Sequence, residues 1–387
     1  MDADLAVIGG GPVGSTLALL AARAGRSVTV LEKAGLPRDK ACGEGLMPSG
    51  ARVLASVGID LEAEGFPPVA GVRYRLAGGA SVRGDLASGL GRGVRRLRFD
   101  ALLAERAAAA AGVRFLCGHA AEAVHVEPGG VRVETGGGTL RARAVVAADG
   151  LRSGTARQLG WARRPAGRAR HALVGHLAAD GRALGDEIVV TLLGEVEVYA
   201  APSGRGEVLV AVLGPRGALR DPASSVAESY LAAVRRAHPD LAGAALIDRV
   251  RGAGPFFVRP RTVAADRVFL AGDAAGFLDP LTGDGIAAGL AQAAALASLL
   301  APLDLADARQ VDGAAARYRA WHARQWRRRR LVTSLALALS GSAALARRAM
   351  AGVGRRPQAL QALLEVNDGS RGLGAVSPRD WAALAGF

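Results

Sequence analysis

The sequence predicts an α/β fold: a parallel-sheet unit, an antiparallel sheet and a helical C-terminal tail. Three observations predict it. A short apolar strand pattern, Asp4 to Ile8, runs into Gly9-Gly-Gly11-Pro12-Val13-Gly14 and then into a helix pattern, Ser15 to Ala24. Four strand-like runs between His171 and Leu213 are joined by Gly, Ser and Pro turns. Residues 301–387 read mostly as helix.

The bulk numbers bound the function. The chain has 387 residues, 50% of them hydrophobic, enough for a sizeable core and one or two domains. Its two cysteines, Cys42 and Cys117, make neither a disulfide framework nor a zinc spacing, so a reducing compartment and no metal site are expected. Met-Asp-Ala-Asp passes straight into a strand, without the basic-then-apolar order of a secretory signal, and the expected location is cytoplasmic. The formal charge of +14 invites a nucleic-acid reading. All but two of the 49 basic residues are arginine, and only Arg327 to Arg330 cluster. No aromatic-interleaved platform accompanies them, so no nucleic-acid partner is expected.

The glycine motif has the context that gives it meaning: a strand before, a helix after, and Glu32 closing a second strand, Ser27 to Leu31. This is a Rossmann-type dinucleotide fingerprint. Gly9 permits the tight turn, Gly11 lets backbone approach a pyrophosphate, and Gly14 lets helix and strand pack closely. Pro12 and Val13 open the helix, whose free N–H groups face the phosphates. Glu32, followed by Lys33, is placed to accept ribose hydroxyls.

Three later stretches select among dinucleotides. Arg95-Arg96-Leu-Arg-Phe-Asp100 precedes an alanine-rich helix. The strand Ala144 to Ala148 runs into Asp149-Gly-Leu-Arg-Ser153. Gly272-Asp273-Ala-Ala-Gly-Phe-Leu-Asp-Pro280-Leu-Thr-Gly283-Asp284-Gly285-Ile286 follows a third strand. In this order they resemble the FAD-dependent monooxygenase and geranylgeranyl-reductase superfamily, which shares the aromatic-hydroxylase fold. The resemblance covers roughly residues 4 to 300. It implies a Rossmann-type FAD-binding domain (GR2-like) over 1–70, 95–160 and 260–300. An antiparallel substrate-binding sheet domain is expected over 71–94 and 161–259, and a helical region over 301–387. Arg96 matches the family's arginine for the cofactor's phosphate or ribityl region, with Arg95 and Arg98 facing solvent. Asp149 caps a helix, serves the pyrophosphate, or both. Asp273 is placed for a ribityl hydroxyl. The small residues 274–276 allow backbone to lie against a flat ring, and the helix from Ile286 offers free N–H groups to the flavin's pyrimidine edge. No second glycine fingerprint occurs, so NAD(P)H visits transiently or a partner reduces the flavin.

Lys40-Ala-Cys42-Gly-Glu44-Gly-Leu resembles the Cys-Gly segment of the reductases, which implies Cys42 and Glu44 at the flavin's reactive edge. Cys42 as a small buried hydrophobe is the equal alternative. Cys117 fits a strand core. Tyr199, in Val198-Tyr-Ala-Ala-Pro202, lines the substrate pocket or fills the core. His171 and His176 are expected to make structural hydrogen bonds. Gly276 stands where hydroxylases carry a histidine, and the tryptophan-rich segment and lysine of halogenases are missing. The leading reading is a single-component NAD(P)H-dependent monooxygenase of a lipophilic or aromatic small molecule. The alternatives are a reductase of C=C bonds in a prenyl-like chain and a non-catalytic flavin-binding accessory protein. The run Leu331 to Ala346 is short and polar for a spanning helix. It packs on its own domain, or with Arg327 to Arg330 makes peripheral membrane contact.

Overall fold

The structure, a computed structural model, describes residues 1–163, 169–179 and 184–387. Its first sheet is built on Ala3–Ile8, whose side chains are almost all buried, as expected of a strand covered on both faces. Val28–Glu32 and Gly138–Ala147 flank it in parallel. Val113–Cys117 and Val268–Leu270 extend the sheet outward, also in parallel. A hairpin, Ala121–Glu127 with Gly130–Thr135, continues antiparallel from Gly138–Ala147. Helix Pro12–Arg23 crosses between the first two strands, and helices Arg96–Ala108 and Gly285–Leu300 pack against it.

The second sheet runs Arg170–Ala178, Glu207–Pro215, Glu197–Gly204, Glu187–Leu192, Gly71–Leu76, Ser81–Asp85. It is antiparallel except where Glu187–Leu192 lies parallel to Gly71–Leu76, two strands far apart in the sequence and so not joined by a hairpin. Alternation along the strands gives it two apolar faces. Val189, Val198, Ala200 and Val210 pack under helix Val226–Ala237, while Ile188, Val190 and Tyr199 face the other way. The C-terminal helices Ala308–Ser340, Ala343–Arg355 and Gln358–Asp368 cover that second face.

One sequence expectation changes here, and the arginine cluster divides. Cys117 is exposed, because its strand forms the edge of the first sheet. The four-arginine cluster is only partly solvated: Arg327 and Arg330 are exposed, but Arg329 is buried in an ion pair. Among the described residues, no helix is long and apolar enough to cross a membrane.

Candidate active site

The three fingerprint glycines do different work. Gly9 has φ +105°, and a Cβ there would lie 2.5 Å from the Ala148 carbonyl oxygen. A Cβ on Gly14 would lie 1.9 Å from the Gly9 carbonyl oxygen. Both are glycine because the chain itself leaves no room. Gly11 differs: its nearest neighbour would be Arg38 Nη2 at 3.9 Å, so open space lies over the start of the helix. Pro12 takes the first helical position and no side chain caps the turn, which leaves its N–H groups to a ligand. Glu32 is buried at the strand end. It accepts from the Gly10 N–H at 2.8 Å and the Ala34 N–H at 3.0 Å, so it braces the turn as well as facing the site. Lys33 is exposed.

The late motif closes on the same place. Gly272, at φ +64°, would place a Cβ 3.2 Å from Val13 Cγ2, so the two glycine motifs, some 260 residues apart, touch. Asp273 is half-buried, and no described residue hydrogen-bonds its carboxylate. Asp149 Oδ2 accepts from the Thr155 N–H and hydroxyl, both at 3.1 Å, while Oδ1 is buried without a partner. Its capping role therefore leaves one oxygen over. Pro280–Thr282 forms a single 3-10 turn, Gly283 takes φ +65°, and helix Gly285–Leu300 begins with Ile286 in its first turn and no side-chain cap. Open space at Gly11, an orphaned oxygen on Asp149, an unengaged Asp273 and two uncapped helix N-termini suit an elongated ligand with phosphates at one end.

Other residues read from the sequence have partners within the chain. Arg96 is held bidentately by Asp100, at 2.6 and 2.8 Å. Burial works against its charge, but Asp100 and Cys42 outweigh this and raise its pKa. Asp284 accepts from Arg329 Nε at 2.5 Å and from the Thr282 hydroxyl at 2.8 Å, tying the turn to the C-terminal helix. Gly276, at φ +144°, lies under Trp326, whose ring would meet a Cβ at 2.4 Å. That explains why no histidine stands there. Arg95, expected in solvent, is mostly buried and bonds Asp248 at 2.9 Å. Trp326 and Asp248 left no local sign in the sequence, and Arg329 stood out only as part of the basic cluster.

Beyond the turn lies an apolar chamber of about 90 Å³. Ile188, Val190 and Tyr199 form its sheet wall, Leu335, Leu339 and Leu363 its helical wall, and Thr282 and Gly283 its inner end. Tyr199 is buried and its Oη has no partner. Cβ atoms built on Gly43 and Gly45 would meet it at 3.4 and 2.5 Å, so the Cys42–Gly45 loop lies directly against this ring. Burial, then the charges of Cys42, Glu44 and Tyr74, push the phenol pKa far up. Cys42 is half-buried and accepts from the Glu44 N–H at 3.4 Å. Glu44 is fully buried. It binds the Arg96 N–H at 2.8 Å, the Ser203 hydroxyl at 2.5 Å and His176 Nε2 at 3.1 Å.

A Rossmann-type sheet, two glycine motifs in contact and an apolar chamber beside the turn of the second are the parts of a flavoprotein. The chain belongs to the FAD binding domain family, whose profile matches residues 2–324. It is 32% identical over 332 residues to menaquinone reductase of Mycobacterium tuberculosis, spanning 79% of this chain and 78% of that one. It is 30% identical over 306 residues to digeranylgeranylglycerophospholipid reductase 2 of Methanopyrus kandleri, spanning 74% of each. Among solved structures, PqsL of Pseudomonas aeruginosa, described as a probable FAD-dependent monooxygenase, is similar with a TM-score of 0.70 at 25% identity, over 83% of this chain and 91% of that one. The protein is an FAD-dependent oxidoreductase.

Proposed function

We propose that this protein is an FAD-dependent reductase of carbon–carbon double bonds in a lipid that carries an isoprenoid chain. The chamber carries this reading. It is lined mainly by aliphatic side chains from the sheet and the C-terminal helices, with Thr282 and Asn367 among its few polar groups. Such a pocket gains from burying a hydrocarbon chain, at roughly 25 cal/mol per Å² of apolar surface. The two curated relatives support it, since both are named for reducing lipids of this kind.

FAD, bound and reduced, supplies a hydride. Gly11, Asp149 and Asp273 would hold it, with the helix N-termini at Pro12 and Gly285. The chamber walls orient the substrate chain and exclude water. Tyr199 Oη holds a proton: with its pKa raised, it stays protonated at neutral pH. Tyr199 Oη would give the proton to one alkene carbon and the flavin the hydride to the other, so that two C–H bonds replace the π bond and the substrate gains the two electrons the flavin gives up. NAD(P)H, visiting transiently, or a partner protein would restore the reduced flavin. Exposed Leu331, next to exposed Arg330 and one helical turn from exposed Arg327, favours peripheral contact with an anionic bilayer as the source of substrate.

A second reading, NAD(P)H-dependent monooxygenation of a lipophilic or aromatic small molecule, draws on the likeness to PqsL and on the dry chamber. One experiment separates them. Holoprotein reduced with dithionite under anaerobic conditions is mixed with a geranylgeranyl lipid. Reoxidation of the flavin without oxygen, with a product two hydrogens heavier, is the expected result. Turnover only with oxygen, with label from isotopic O₂ in the product, would overturn the reductase reading.

A further inference from the structure

One oxygen on the chamber's lining has nothing to bond. Asn367 stands near the end of helix Gln358–Asp368 and lines the chamber beside Thr282. The residue is only 6% exposed. Its Nδ2 donates to the Thr282 carbonyl at 3.0 Å. A carbonyl can only accept, so this bond fixes which way round the amide sits and makes its other end the oxygen. That oxygen, Oδ1, is buried and has no partner among the described residues. Buried polar atoms are nearly always paired, and an unpaired one costs stability unless something else supplies the partner.

The chamber's own side chains do not supply it. The Thr282 hydroxyl donates to Asp284 at 2.8 Å, and the Ser340 hydroxyl donates to the Leu337 carbonyl at 3.2 Å. Tyr199 Oη is orphaned as well, and it reaches the same dipeptide: a Cβ built on Gly283 would lie 3.9 Å from it. Among the described residues, no Lys, Arg, Asp or Glu lines the chamber.

This set of groups discriminates between ligand chemistries. A phosphate or carboxylate drawn inside would lose its water and meet no cation. A bare hydrocarbon would cover Oδ1 without pairing it. A carbonyl or ether oxygen could accept from Tyr199 but has no hydrogen for Oδ1. An uncharged hydroxyl has that hydrogen, and its oxygen can still accept from Tyr199. We propose that Asn367 selects an isoprenoid substrate bearing an uncharged hydroxyl, alcoholic or phenolic, and holds it at the Thr282–Gly283 end of the chamber. The hydrocarbon chain runs along the aliphatic walls, and any phosphate on the substrate stays outside. The inference rests on the reading of the chamber as an isoprenoid pocket and adds what the chain must carry. Asn367 binds substrate and takes no part in the transfer of electrons.

The test measures binding alone, in holoprotein with oxidised flavin and no electron donor. Farnesol, farnesyl methyl ether, farnesyl diphosphate and a farnesyl hydroquinone each compete with radiolabelled farnesol at one fixed detergent concentration. Farnesol should bind about 5- to 10-fold tighter than its methyl ether, the scale of one neutral hydrogen bond. The diphosphate should bind at least about tenfold more weakly than farnesol. Asn367→Leu should keep its affinity for the ether and bring farnesol to within about twofold of it. A hydroquinone tighter than farnesol assigns the hydroxyl to a phenol, and the reverse order assigns it to an alcohol. Ether and alcohol binding equally in the native protein, a diphosphate as tight as farnesol, or an undiminished preference in Asn367→Leu would overturn the proposal. Should Asn367→Leu not fold, the comparison of alcohol with ether in the native protein decides. No turnover enters these measurements, so failure of the reductase reading, seen in anaerobic turnover, is distinguishable from failure here.

Discussion

Replacing Gly11 and Gly14 separately with alanine should split binding from folding. Gly11 has φ −76°, ordinary for any residue, and an added Cβ would have no neighbour closer than 3.9 Å. The apoprotein should therefore tolerate Gly11→Ala, or gain about 0.4–1 kcal/mol from a stiffer unfolded chain. The same methyl fills the space over the helix N-terminus. A phosphate oxygen must come to about 2.9 Å from a backbone N–H, and a methyl in that space prevents it. Losing one charge-assisted hydrogen bond, at about 1.5–3 kcal/mol, should weaken FAD binding about 10- to 150-fold. Gly14→Ala places its Cβ 1.9 Å from backbone oxygen, so it must move the first strand or the helix. Overpacking of this kind costs about 1–3 kcal/mol even before FAD is added. Thermal melts of the apoproteins and FAD titration by flavin fluorescence measure the two effects. Gly11→Ala binding FAD within about twofold of the native protein would refute the reasoning, since no phosphate contact tolerates a methyl in its place.

Tyr199→Phe should retain FAD and fold normally but lower turnover on an isoprenoid lipid by at least about a hundredfold, the scale of losing a positioned proton donor; unchanged turnover would remove the phenol from the reaction. Arg329→Met leaves Asp284 buried without its cation and should cost about 3–5 kcal/mol in a thermal or urea melt. Adding Asp284→Asn should recover part of that, and a double variant no better than the single would show the pair is not coupled. Burial, then Arg329, pushes His322 down to about 4 from 6.5. The unfolded chain therefore binds its proton first as pH falls, and His322 favours unfolding between those two values by about 1.4 kcal/mol per pH unit. His322→Gln should lessen the loss of stability across that window by about this amount, read from denaturant midpoints at several pH values; an identical slope would mean the imidazole titrates normally.

What was legible in the sequence was local. Strand, glycine turn, helix and closing acid lie within 30 residues, so the separate duties of Gly9, Gly11 and Gly14 follow from chain geometry alone. The late motif was legible for the same reason, and its contact with Val13 follows from parallel strands ending at one edge. What depended on distant partners was not. Arg95 and Arg96 are adjacent, and nothing nearby says that one meets Asp248 and the other Asp100. Glu44 was singled out for the flavin edge, yet its oxygens are held by His176 and Ser203, 132 and 159 residues away. Cys117 carries an apolar strand pattern, but a strand at the edge of a sheet need not be covered.

The C-terminal region illustrates the difference most clearly, because its pattern says helix and nothing about what the helix touches. Ala308–Ser340 presents Trp326 to Gly276, Arg329 to Asp284, and Leu335 and Leu339 to the chamber. Trp326 with Arg329 and Leu335 with Leu339 lie on different sides of the helix, so its earlier turns serve the late motif and its last turns the pocket. Asn367, on the next helix but one, donates to the Thr282 carbonyl at 3.0 Å and lines the same chamber. The turn expected to cradle the flavin is therefore clamped from the substrate side. A change in the chamber's wall that moves this helix as a body also moves Arg329 and Trp326 against the late motif. The region that sets what fits in the pocket thus also sets where the late motif sits, and the two cannot vary independently.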